Sequence, residues 1–139
     1  MTLLIKRILI LEDNYLVLSK LLEKLSILED RQPWEFSLTV INDSEQVENL
    51  INDNPKAKFD IIILDRDCKV GKSFHVLDIE HFGVEKVIGI SAVPRFNKQL
   101  QDKGVTKVIE KDITNIDNFI ARVVDTVGEM IQKLPWSSE

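Results

Sequence analysis

A chain of 139 residues with 44% hydrophobic and 29% charged side chains has the size and composition of one globular domain, long enough to bury about 68–70% of its unfolded surface without disulfides or structural metal. Lys and Arg number 18 against 23 Asp and Glu, a net charge of −5, the wrong sign for a general affinity for nucleic acid or anionic membrane. The one cysteine, Cys68, excludes an internal disulfide and a cysteine-rich zinc site; with no signal-peptide pattern and no run near the roughly 18 apolar residues of a spanning helix, a soluble, cytoplasmic protein is expected.

Residues 5–11 predict a first strand that runs into Glu12-Asp13. Asn14 is placed to cap the helix that follows, where Leu18, Leu21, Leu22, Leu25 and Leu28 fall at the spacing of one buried stripe. Pro33 closes the connection, because proline cannot continue a helix. Residues 36–41 alternate Phe36, Leu38 and Val40 with Ser37 and Thr39, which suits a strand at a sheet edge. Asn42-Asp43-Ser44 caps a second helix carrying Val47, Leu50 and Ile51, which stops before Asn54-Pro55. In the run 59–65 four consecutive apolar residues lead straight into Asp65, the pattern of a central parallel strand buried on both faces.

After a loop over Cys68–Lys72, residues 73–82 predict a short helix with Phe74, Leu77 and Phe82 inward, ended by Gly83. A fourth strand follows over 84–91, then a polar helix over 95–103 stopped by Gly104. A fifth strand over 105–109 leads to Glu110-Lys111-Asp112. The last helix, 115–134, keeps Ile116, Phe119, Ile120, Val123, Val124, Val127, Ile131 and Leu134 on one face, and residues 135–139 form a tail. Five strand–helix units joined by short connections predict an α/β fold of one domain over 1–139, with its core at about 5–134. The sheet is five-stranded and parallel in the order 2-1-3-4-5, with helices on both faces.

In that order the first and third strands are neighbours at the switch point, so Glu12-Asp13 and Asp65 meet at the C-terminal end of the sheet. Asp67, Ser91 and Lys111 end up at the same pole. Carboxylates crowded together repel one another, and a hard divalent cation such as Mg²⁺ relieves the conflict. With a lysine and a hydroxyl as donors to an anion, the set suits phosphoryl transfer to a carboxylate.

These residues resemble, in type, order and strand position, those of the response-regulator receiver domains of two-component signalling, whose fold is flavodoxin-like. The resemblance spans essentially the whole chain. It rests on Glu12-Asp13 after the first strand, Asp65 at the end of Asp60-Ile61-Ile62-Ile63-Leu64-Asp65, Ser91-Ala92 after the fourth strand and Lys111 after the fifth. It implies that Asp65 accepts a phosphoryl group from a histidine kinase, a phosphotransfer protein or a small donor. It further implies that Asp13, Asp65 and the backbone carbonyl of Asp67 ligate Mg²⁺ and that Glu12 orients a metal-bound water. Ser91 would swing toward the acyl phosphate and Lys111 would pair with a phosphoryl oxygen. By the same resemblance the chain is a stand-alone signalling phosphoacceptor, not an enzyme, with output through contact with another protein. Two positions depart from the family: Asp112 stands where a proline is usual after the lysine, and Val108 stands at the place of the switch aromatic. The separations Asp65 to Ser91 and Ser91 to Gly104 are short for the family, so the loops after the third and fourth strands look trimmed.

Other readings compete. A receiver-fold adapter that binds its partner without phosphorylation would keep the same pattern. Asp65-Arg66-Asp67 also fits the Asp-x-Asp signature of haloacid-dehalogenase-like phosphatases, with the first Asp as nucleophile, although there the paired acids come last. Gly71-Lys72-Ser73 lacks the glycine that a phosphate-binding loop needs five residues earlier; that position is Arg66. Cys68, His75, His81, Trp34 and Trp136 read as packing or surface residues. Arg95, Lys98, Lys103 and Lys107 make the fourth helix and fifth strand locally basic.

Overall fold

Alternating apolar residues build the sheet and decide which helix lies on which face. The computed structural model describes residues 4–66 and 74–133; the expectations for Asp67, Cys68, Gly71-Lys72-Ser73, the His75 side chain, Leu134 and Trp136 lie outside the described residues. Strands β1 (Ile5–Leu11), β2 (Glu35–Ile41), β3 (Ile61–Asp65), β4 (Val87–Ser91) and β5 (Lys107–Glu110) pair in parallel in the order β2-β1-β3-β4-β5, as expected. Every residue of β3 and β4 is buried, the signature of strands covered on both faces.

Helices α1 (Tyr15–Asp30) and α5 (Ile116–Lys133) cover one face. There Ile8, Ile10, Ile61, Ile63, Ile88, Ile90 and Ile109 pack against Val17, Leu21, Leu25, Phe119, Val123 and Val127. The intervening residues Leu9, Leu11, Ile62, Leu64 and Val87 meet the second layer, which includes Val47, Ile51, Phe82 and Leu100. That layer comes from α2 (Ser44–Gln46) with its π-helical extension Val47–Asn52, from α3 (Ile79–Phe82) and from α4 (Pro94–Asp102). Asn14 caps α1 as expected, its Oδ1 accepting from the backbone N–H groups of Leu16 at 3.0 Å and Val17 at 3.2 Å.

Five local expectations need correction. The second helix widens into a π turn, which keeps Val47 and Ile51 inward but leaves Leu50 58% exposed. The expected single helix over 73–82 is two pieces, a 3₁₀ turn at Phe74–Val76 and then α3. Asp78 separates them by accepting from the His81 N–H at 3.1 Å as a fresh N-cap, yet Phe74, Leu77 and Phe82 are all buried. Residues Val84–Lys86 form a 3₁₀ turn, so β4 begins only at Val87. Val105 donates back to the Leu100 carbonyl at 3.0 Å and belongs to the end of α4, so β5 starts at Lys107. On edge strand β2 the apolar alternation is real but half used: Leu38 and Val40 remain 38% and 39% exposed.

Two glycines answer to specific constraints. Gly104 has φ 104°, the left-handed conformation that ends α4. At Gly89, in the middle of β4, an added Cβ would collide with Cδ1 of Leu100, a side chain with no exposed surface. Gly89→Ala is therefore expected to destabilise the fold by roughly 1–3 kcal/mol through overpacking, measured by urea denaturation. Unchanged stability would mean that α4 can move off the sheet freely.

Candidate functional site

Three strand ends of matching parity converge at the C-terminal edge of the sheet. Glu12 continues the side of β1 that carries Ile8 and Ile10, and Asp65 continues that of Ile61 and Ile63. Lys111 likewise continues the side of Ile109. Side chains two residues apart on a strand share a face, so all three project toward the α1/α5 layer. Glu12, Asp65 and Lys111 are 2%, 0% and 6% exposed.

The Lys111 ammonium donates to Asp65 Oδ2 at 2.8 Å and lies 3.2 Å from Glu12 Oε1. Its backbone N–H donates to the Ser91 carbonyl at 3.0 Å, which fixes the β5 end against β4. Glu12 Oε2 also accepts from the Asn14 N–H at 3.1 Å, just ahead of α1. Asp13 is half-buried beside them, and oxygens of Glu12, Asp13 and Asp65 all lie within 4.8 Å of one another.

This centre is short of positive charge. Burial and the neighbouring Glu12 carboxylate push the Asp65 carboxyl up to about 9, against the opposing pull of Lys111. Burial disfavours the charge on Lys111, but the carboxylates of Asp65 and Glu12 outweigh it and hold its pKa raised. Three hard oxygen donors around a charge deficit are a set that a small divalent cation fits, Mg²⁺ by the type of donor.

Ser91 ends β4 on the opposite parity. It is 1% exposed; its Oγ accepts from the Val93 N–H at 2.9 Å and lies 3.2 Å from the Val93 carbonyl, so the hydroxyl is held by its own loop. Asp112 accepts from the Thr114 N–H at 3.0 Å and the Asn115 N–H at 3.3 Å, opening the 3₁₀ turn Ile113–Asn115 ahead of α5. The Thr114 hydroxyl, foremost, holds the Asp112 carboxyl below its ordinary value. Val108 is half-buried and packs on the α4 side of the sheet.

Arg66 is the residue that sequence reasoning missed. It follows Asp65 directly, and parity turns it to the opposite face, where it is 4% exposed. Its guanidinium donates to Gln99 Oε1 at 3.2 Å and stands 5.7 Å from the centre of the Phe96 ring, while its backbone N–H donates to the Ile90 carbonyl at 2.9 Å. Burial lowers its pKa. An arginine directly after a fully buried strand was the available signal, since such a side chain must find partners under a helix. Among the locally basic residues, Lys98 is spent on Asp102 of its own helix at 3.0 Å, and Arg95 stands 5.3 Å from the Phe96 ring centre. Trp34 is buried under the Lys6 ammonium, 6.0 Å from the ring centre, and His81 is exposed with its edge to Phe82.

No family profile and no curated protein matches the chain. Solved structures do. The phosphorylated cyanobacterial phytochrome response regulator RcpA superposes with a TM-score of 0.71 at 18% identity, covering 94% of this chain and 96% of that one. A receiver domain from Rhodospirillum rubrum gives 0.66 at 15% identity, over 95% and 97%. A response regulator from Hahella chejuensis gives 0.65 at 18% identity, over 95% and 99%. The chain thus has the fold of response-regulator receiver domains, in the flavodoxin-like strand order. Among the described residues no helix is long and apolar enough to cross a membrane.

Proposed function

We propose that this chain is a signalling phosphoacceptor of the two-component type in which Asp65 takes the phosphoryl group. The observation that carries the reading is the buried Asp65 carboxylate, held 2.8 Å from the Lys111 ammonium among carboxylate oxygens within 4.8 Å of one another. Such a group becomes a nucleophile once a bound cation lets it ionise, and it is already placed beside the charge that its product requires. In the reaction an Asp65 oxygen forms the new O–P bond while the donor's P–N or P–O bond breaks, the electron pair leaving with the donor's imidazole or carboxylate.

Asp13 and Asp65, with the Asp67 backbone carbonyl and with Glu12 acting through water, would hold Mg²⁺, which when bound supplies the positive charge the site lacks. Lys111 exchanges part of its pairing with Asp65 for a phosphoryl oxygen. The Ser91 hydroxyl leaves Val93 for the acyl phosphate, drawn by about −1.5 to −2 new charges. The partners implied are a histidine kinase or phosphotransfer protein as donor and a further protein as reader of the modified state. The whole chain then acts as one domain, modified once per cycle. That the cyanobacterial neighbour is a phosphorylated response regulator supports the reading.

Intact-mass measurement after incubation with a small acyl phosphate tests it. One phosphoryl group is expected to add in the presence of Mg²⁺ and none in EDTA. An unmodified chain that also fails to bind Mg²⁺ would overturn this function in favour of a phosphorylation-independent adapter. Turnover of a phosphate ester that depends on Asp67 would favour a phosphatase instead.

A further inference from the structure

A second concavity lies at the opposite pole of the sheet. It has a volume of about 810 Å³, and its wall includes Arg7 of β1, Lys56 and Lys58 ahead of β3, and Lys86 ahead of β4. Among the described residues the one acid lining it is Asp60, and Oδ2 of that carboxylate already accepts the Arg7 backbone N–H at 2.8 Å. None of the four cations forms a salt bridge among the described residues. That is the reverse of what charge balance leads one to expect, because acids outnumber bases 23 to 18 in this chain. Solvated surface lysines are ordinary, but unpaired cations from three separate segments around one hollow make a positive field within an acidic protein.

The hollow is also not uniformly polar. Phe59 and Phe82 line it, their ring centroids 6.1 Å apart, and Pro55 and Ala57 extend the apolar part of the wall. Its volume is that of a small-molecule site, in which an apolar wall takes the body of a ligand and a few polar groups fix its orientation. Arginine supplies a planar fork and lysine a mobile point charge, the two ways in which proteins hold phosphate.

We propose that this cavity binds small phosphate-bearing ligands, with Arg7, Lys56, Lys58 and Lys86 holding the phosphate groups. The site is separate from Asp65 and does not depend on phosphoryl transfer there. Two sources share that chemistry, inorganic polyphosphates and nucleotides. Phe59 and Phe82 separate them, because only a nucleotide brings a base to lie against the apolar wall.

Titration of the full chain with pyrophosphate, ADP and adenosine, followed by amide chemical shifts and calorimetry in EDTA, tests the proposal; EDTA keeps metal-bridged binding at the acidic cluster out of the measurement. Pyrophosphate is expected to shift the amides of Lys56, Lys58 and Lys86, with an affinity that falls as salt is raised. The Lys56→Gln/Lys58→Gln pair should weaken binding by roughly tenfold. A control pair at Lys98 and Lys103, and Asp65→Asn, should leave it unchanged. Tighter binding of ADP than of pyrophosphate assigns the site to nucleotides, and equal binding assigns it to the phosphate group alone. Absence of shifts at the cavity, or equal weakening by the control pair, overturns the proposal. Either result leaves the phosphoacceptor reading of Asp65 untouched, since that reading rests on the mass adduct.

Discussion

Lys111→Met is expected to lower folding stability by about 3–5 kcal/mol in metal-free buffer above about pH 9, where the Asp65 carboxyl is ionised beside the ammonium, the usual cost of removing one partner from a buried ion pair. The Lys111 side chain is 4% exposed and its ammonium is shared between Asp65 at 2.8 Å and Glu12 at 3.2 Å. Methionine fills most of the volume, so the loss isolates the charge. Two carboxylates are then left in a buried site with no counter-ion, and one of them must take up a proton or recruit a cation. Two controls make the result specific. Adding Asp65→Asn to Lys111→Met should restore much of the stability, because the second change removes the orphaned charge, and Mg²⁺ should restore stability to Lys111→Met itself. A single variant as stable as the parent in urea would mean that the buried triad carries no net interaction energy.

Asp65→Asn is expected to act with the opposite sign on stability while abolishing the phosphoryl adduct. The Asp65 carboxyl is raised from an ordinary 3.8 to about 9, by burial first and by Glu12 second. Between those values the folded chain keeps a proton that the unfolded chain has lost. The group's stabilising contribution is thus full below about pH 4 and is lost as pH rises toward 9. The raised pKa of Lys111 acts in the same sense, but only above its ordinary 10.5, outside that window. In EDTA the wild-type chain should therefore fall behind Asp65→Asn progressively as pH is raised, and Mg²⁺ should close the gap for the wild type alone. Thermal midpoints of both proteins across this range are the measurement. A gap that stays constant with pH would show that the Asp65 carboxyl titrates as an ordinary exposed group.

Both expectations concern residues that the amino-acid pattern alone picks out. Glu12 and Asp65 each terminate an apolar run and Lys111 stands just past Val108-Ile109-Glu110, and a chain of five strand–helix units has few ways to place those ends. The isoleucine run 61–63 reads as an interior strand, and it is buried throughout. The face carried by α5 was legible for the same reason, a periodicity sustained over many turns, although Met130 also joins it. Short elements were harder. The break between the 3₁₀ turn at Phe74 and α3 depends on one cap, Asp78, which competes with continuing the helix by a small margin. The exposure of Leu50 follows from a π turn that no apolar pattern announces.

The division is clearest at the site itself. Strand order and residue type, both written in the sequence, determined that acids, a hydroxyl and a lysine gather at one pole. Only the tertiary structure decided how they are shared, because sharing depends on which face each side chain leaves its strand from and on how deeply the helices bury it. Parity sends Glu12, Asp65 and Lys111 to the α1/α5 side, where burial draws them into one ion-paired cluster. The same alternation turns Arg66 beneath α4, onto Gln99 and Phe96. The basic hollow at the far pole is tertiary in the same sense: Arg7, Lys58 and Lys86 are far apart in the chain, and only the parallel sheet brings the starts of their strands together.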